Sequence, residues 1–197
     1  VQPNTDSDCE VIIHLYLKYG IDQTLELLDG VFAFCLIDYR LDSNTSKMYI
    51  ARDPYGVRPL YIMKPSTGIT EKNKKKYNQF IFASELKMIY DLYNEDQNNR
   101  LENKYIIEQF QPGTCSYLEM VHNVSPIWEL KYEYFPFHHV AFNSCKVVQS
   151  IWKKQNASIY LYEKLQTHLI HSVEKRCLTT ERPIACLLSG GLDSSLI

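Results

Sequence analysis

Leu187-Leu188-Ser189-Gly190-Gly191-Leu192-Asp193-Ser194-Ser195 lies near the end of a chain of 197 residues. The apolar run 184–188 that leads into it predicts a buried strand. Gly190 and Gly191 allow a tight turn and a close approach of backbone to a ligand, because no Cβ intervenes. A helix is expected over 193–197. Strand, glycine turn and helix in that order make a seat for an anion, since the amides of the turn and of the first helical turn converge. Ser189, Ser194 and Ser195 add hydroxyl donors. Asp193 would repel a phosphate unless a cation lay between them. That argues for Mg2+ held by this carboxylate and by phosphate oxygens. The alternative is a plain strand-to-helix turn, with Asp193 and the serines serving only as caps. The string lacks the Gly-Lys-Ser/Thr ending of a Walker A loop and the spacing of a dinucleotide fingerprint.

A helix opened at residue 193 has only about one turn before the sequence stops, too little to persist without packing. A parallel strand also needs neighbours reached through long crossovers. The chain is therefore expected to be a piece of a longer polypeptide, with its second domain only begun and its stability alone poor. Upstream, Ile159, Tyr162, Leu165, Leu169, Val173 and Cys177 recur every three to four residues. They predict an amphipathic helix, with Asn156 or Ser158 as its cap. Residues 120–157, which contain Pro126, Trp128, Pro136 and His138-His139, show no clean period. They read as a connector with some packing of its own.

In the first half, residues 8–19 place Val11, Leu15 and Tyr19 on one helical face, with Ile12 beside them. Asp8 is the expected N-cap, Gly20 the stop, and a second short helix covers 22–28. From Gly30 the pattern changes, and GVFAFCLIDY suits a strand buried on both sides. Further strands are expected at 47–52, 60–64, 79–83 and 114–119, with a short helix over 84–93. Pro54, Gly56 and Pro59 punctuate a turn. Arg52, Asp53 and Arg58 are expected to serve that turn through ion pairs and hydrogen bonds. Strands in such close succession imply an antiparallel sheet. The lysine-rich stretch 71–78 reads as a solvated loop rather than a nucleic-acid contact.

Ser189-Gly190-Gly191-Leu192-Asp193-Ser194 resembles the pyrophosphate loop of the ATP pyrophosphatases, which adenylate a carboxyl or carbonyl oxygen. The resemblance implies adenine recognition near Leu187. It also implies an ATP pyrophosphate cradled by Ser189, Gly190, Gly191, Ser194 and Ser195, with Mg2+ on Asp193. GVFAFCLID from Gly30, ARDPYGVRPLY from Ala51 and FASELK from Phe82 resemble the class II glutamine amidotransferases. Those enzymes fold as an N-terminal-nucleophile sandwich of two antiparallel sheets between helices. Asp8-Cys9-Glu10 matches a D-x-E string of that family, and the resemblance implies that Asp8 binds the α-amino group of glutamine. Helix capping by Asp8 is compatible with that role. The family's nucleophile is an N-terminal cysteine activated by its own α-amine. Position 1 here is Val1, so no catalytic residue for glutamine hydrolysis is assigned, and the chain as it stands is expected to lack that activity. Cys9 is no substitute, because it has no free α-amine and the two flanking acids disfavour its thiolate.

The order of these segments is similar to that of the glutamine-dependent asparagine synthetase family. The implied fold class is α/β. Residues 1–125 would be the C-terminal portion of an αββα amidotransferase domain, 126–157 a connector, and 158–197 the start of an α/β ATP-binding domain of the adenine nucleotide alpha hydrolase type. The implied substrates are glutamine, aspartate and ATP. Ammonia from glutamine would displace AMP from a β-aspartyl adenylate. The alternatives are a related amidotransferase, a ligase like β-lactam synthetase, or a non-catalytic amidotransferase-like module that binds nucleotide. Glutamine phosphoribosylpyrophosphate amidotransferases share RDPYGVRPLY and FASE, but would continue into a phosphoribosyltransferase domain.

Composition narrows the partners. A formal net charge of -2 gives no field that would favour nucleic acid or an acidic membrane surface. No apolar run is long enough to span a bilayer, and no signal pattern opens the chain. None of the 6 cysteines forms a C-x-x-C pair, and several sit in apolar runs where a thiol packs as a small hydrophobe. That usage predicts a reducing, cytoplasmic setting and argues against a zinc site. Among macromolecular partners only a second copy, as a homodimer, is kept open.

Overall fold

A computed structural model of the chain describes residues 4–39, 43–66, 79–98, 105–122, 125–138, 157–180 and 182–197. They fall into two units, Val1–His139 and Val140–Ile197.

The first unit opens with helix α1, Glu10–Leu27. Gly20 interrupts it at φ 78 and ψ 178, a conformation that only glycine adopts readily. The expected stop at Gly20 is thus a kink between two helical pieces. The N-cap is Cys9, and no side chain caps the helix. Asp8 therefore does not cap, since it lies one residue too early. Seven strands follow among the described residues: β1 (Ala33–Tyr39), β2 (Thr45–Arg52), β3 (Tyr61–Pro65), β4 (Ile81–Ala83), β5 (Tyr105–Gln109), β6 (Thr114–Val121) and β7 (Ser125–Pro136). Helix α2, Lys87–Asn98, lies between β4 and β5 and starts three residues later than expected. The larger sheet runs β1-β2-β6-β7 and the smaller β4-β3-β5. Every pairing is antiparallel.

Side-chain alternation builds the layers. Successive residues of a strand point to opposite faces. Ile50 and Leu118 accordingly meet Leu60, Ile62 and Phe110 in the core between the sheets. Ala51 and Cys115 meet Leu25 of α1 on the outer side of the larger sheet. Met63 and Tyr105 meet Ile89 of α2 on the outer side of the smaller one. The order helix, sheet, sheet, helix is the expected αββα arrangement.

Three expectations about strands change. Strand β1 is not buried on both sides: it is an edge of its sheet, and Cys35, Ile37 and Tyr39 are exposed. The stretch 125–136 is not a connector but the 12-residue strand β7, paired with β6. Its register shifts repeatedly between Cys115 and Val121, and Tyr134 takes φ 53. Such irregularities erase the period of two by which a strand is recognised. The loop 71–78, Asn156 and His139 lie outside the described residues.

In the second unit, α3 spans Ala157–Leu178 and α4 spans Leu192–Leu196. Ser158 lies inside the first turn of α3 and is not its cap. The third correction falls on 184–188, which belong to no strand, with Ile184 55% and Leu187 91% exposed. A strand needs a ladder partner, and none pairs with these residues among the described ones. No helix among the described residues is long and apolar enough to cross a membrane.

Candidate functional site

In the glycine loop, Gly190 has φ 79, a conformation that strains any L side chain, and Gly191 caps α4 with φ -77 and ψ 165. A Cβ on Gly191 would come within 3.5 Å of Ser189 Oγ. The hydroxyls are gathered around this turn. Ser189 Oγ lies 2.9 Å from Ser194 Oγ. Ser194 and Ser195 each donate to the Gly191 carbonyl, at 3.2 and 2.8 Å. Ser189, Gly190, Gly191, Ser194 and Ser195 thus form one local cluster. Asp193 is exposed in the first turn of α4 and faces a groove of about 730 Å³ shared with Leu165, Leu169 and Val173 of α3. Leu187 is brought to no partner among the described residues. No group of three His, Cys, Asp or Glu able to hold a metal occurs among the described residues. Asp193 fits a cation that keeps one carboxylate and takes its remaining ligands from phosphate and water, the habit of Mg2+.

The segment before α1 is tied down by Glu10. Its carboxylate accepts from the Asn4 and Thr5 amides, each at 2.7 Å, and from the Thr5 hydroxyl at 2.6 Å. His14 Nε2 lies 2.7 Å away on the next turn. The Thr5 hydroxyl, the Asn4 amide and His14 hold the Glu10 carboxyl down at about 2. Asp8 is exposed beside this knot.

The turn 52–58 is held by two buried charges that do not pair with each other. Arg52 donates to the carbonyls of Arg58, Phe110 and Gly56 at 2.7–2.8 Å. Asp53 accepts the amides of Tyr55, Val57 and Arg58 at 3.0–3.1 Å. The expected hydrogen bonds are present. The expected ion pairs are not formed among the described residues, where backbone groups engage both side chains. Burial would raise the Asp53 carboxyl, but those amides outweigh it and the net shift is downward.

The model of the glutamine amidotransferase domain family matches residues 1–134. This chain belongs to that family. A second model, asparagine synthase, matches residues 164–197. The chain is 34% identical to the glutamine-hydrolysing asparagine synthetases of Pongo abelii, Cricetulus griseus and Homo sapiens, over 98% of its own length. It covers 31% of each of those proteins.

Two features of this amidotransferase fold escaped the sequence reading. Lys64 reaches Glu108 at 2.6 Å and also Glu133, while the Tyr134 hydroxyl donates to Glu108. These residues come from both sheets, so the cluster fastens one sheet to the other. Burial pulls Lys64 down, but Glu108 and Glu133 outweigh it and raise it overall. Separations of 44 and 69 residues leave no local sequence signal for such a cluster. The second feature is the knot around Glu10, which the D-x-E string hinted at only through Asp8. Cys115, 5% exposed, is pushed up to about 12 by burial and by the Asp22 charge, which makes it a packing residue rather than a nucleophile.

Proposed function

We propose that this chain is a segment of a glutamine-hydrolysing asparagine synthetase, with an amidotransferase portion, a connector, and from about residue 158 the start of the synthetase portion. The observation that carries this reading is the succession of the two family matches on one chain, the second ending on the Ser-Gly-Gly-Leu-Asp-Ser-Ser loop. In this reading Asp8 holds the α-amino group of glutamine, and ammonia released upstream reaches an aspartate β-carboxylate activated by ATP. Leu187 marks the adenine side of the nucleotide. The Gly190 and Gly191 amides and the Ser189, Ser194 and Ser195 hydroxyls hold its pyrophosphate. Asp193 would hold Mg2+, and the ion would supply neutralisation of phosphate charge there. The chain's own work is to place and to screen charge, since the glycines admit the phosphates and the hydroxyls orient them. The protein would act in the cytoplasm on small molecules, with a homodimer kept open.

The test is Asp193→Ala in the full-length polypeptide that carries this chain. Aspartate-dependent pyrophosphate release should fall by about a hundredfold or more while glutamine hydrolysis persists. Retention of the synthetase rate would overturn the assignment.

A further inference from the structure

Asp8 carries the proposed contact to glutamine, yet it caps nothing and is exposed. A lone surface carboxylate is a poor recognition element, because its rotamers and the backbone that carries it are free unless tied down, and binding must immobilise them. The surrounding hydrogen bonds remove the backbone part of that freedom. The Ser7 amide donates to Thr5 Oγ1 at 3.3 Å, and the Thr5 hydroxyl donates onward to Glu10 Oε2. The Cys9 amide donates to Ser7 Oγ at 3.3 Å, and the Glu10 amide donates to the Ser7 carbonyl at 3.2 Å. Asp8 therefore sits between two pinned residues: the line through Thr5 ends on the Glu10 carboxylate, and the Cys9 and Glu10 amides close on Ser7, which that line holds. Both Glu10 oxygens are used: Oε1 takes the Asn4 amide and faces His14, and Oε2 takes the amide and hydroxyl of Thr5. Its side chain is only 13% exposed, and no lysine or arginine pairs with it among the described residues. It is spent on shaping the 4–9 segment rather than on solvation.

We propose that Glu10 is a positioning residue for glutamine, acting through Asp8 by fixing the backbone that presents the Asp8 carboxylate to the substrate's α-amino group; this rests on the assignment of Asp8 to that group. Glu10 touches no substrate itself. Because four donors converge on its two oxygens, the isosteric Glu10→Gln should fail almost as badly as Glu10→Ala, since an amide nitrogen would face a donor in either orientation.

The experiment compares hydrolysis of glutamine and of 4-carbamoylbutanoate, which lacks the α-amino group, by the full-length polypeptide. Glu10→Gln should raise the KM for glutamine about tenfold, leave kcat within about twofold, and narrow the preference for glutamine over the desamino compound by a similar factor. Thr5→Val, which deletes the hydroxyl's bonds to Glu10 and to the Ser7 amide but keeps the Asn4 and Thr5 amides on Glu10, is the milder variant and should move the same quantities in the same direction by less. Asp8→Asn should narrow the preference on its own, and the double variant Asp8→Asn/Glu10→Gln should lose little more than the single ones. If Asp8→Asn narrows the preference and neither Glu10→Gln nor Thr5→Val does, the positioning role is overturned while the Asp8 assignment stands. If Asp8→Asn leaves the preference intact, the Asp8 assignment itself fails. A fall in thermal stability with unchanged substrate preference would show a merely structural Glu10.

Discussion

Gly56 shows how little room the residue scale leaves. It has φ 63, and an added Cβ would lie 2.8 Å from Pro112 Cγ and 2.9 Å from Arg52 Cζ. Both conditions, positive φ and contact on two sides, exclude any other residue at no cost. The Arg52 guanidinium cannot retreat, because three carbonyls hold it. We expect Gly56→Ala to destabilise the fold by about 2 kcal/mol or more, from left-handed strain plus overpacking. A lowered urea midpoint at unchanged m-value would register it. The sequence already pointed to this turn through Pro54, Gly56 and Pro59. It did not show that Arg52 and Asp53 would bind backbone instead of each other, because that depends on Phe110, 58 residues away.

At the scale of elements, β1 and β2 make the useful contrast. Ile37 and Ile50 are both isoleucines in apolar strands, indistinguishable by local pattern. Ile50 is 0% exposed at the centre of the core, while Ile37 on the edge strand is 56% exposed. Ile50→Ala should cost about 2–5 kcal/mol through lost burial and a residual cavity, and Ile37→Ala about 0.5 kcal/mol or less. Equal losses in chemical denaturation would contradict the edge position of β1. Helix α1 was legible because its apolar spacing is regular and its kink falls on a glycine. Strand β7 was not, because its bulges break the alternation that marks strands. Residues 184–188 misled for the opposite reason: they have a strand's composition, but composition cannot supply a partner for the ladder.

For the whole molecule, the carboxylates of the first unit set the pH dependence. Glu10, Asp53 and Glu108 are all held below their ordinary values, Glu10 from 4.5 to about 2. At Glu108, burial acts upward but Lys64 and Tyr134 outweigh it. A depressed carboxyl lends stability that is present above its unfolded value and lost as pH falls through its folded one. Lys64 is raised above 10.5, so its share is present below that value and lost as pH rises through the folded one. Thermal unfolding between about pH 2 and pH 11 should therefore show a plateau with an acid limb beginning below about pH 4.5. Glu108→Gln should lower the plateau and flatten part of that limb. A limb unchanged in slope would mean that Glu108 is not linked to folding.

Local spacing was enough to read helices α1 and α2, strands β1 to β4 and β6, the glycine turn at 189–191 and the resemblance to amidotransferases and synthetases. Each of these is written in local spacing, and spacing follows from the geometry of a single element. Packing between distant elements settles which strand lies at an edge, that β7 extends the larger sheet, where Arg52 and Asp53 spend their charges, and that Lys64 links the two sheets through Glu108 and Glu133. Those outcomes arise from contacts between residues far apart in the chain, whose energies depend on burial and on partners that no short window contains.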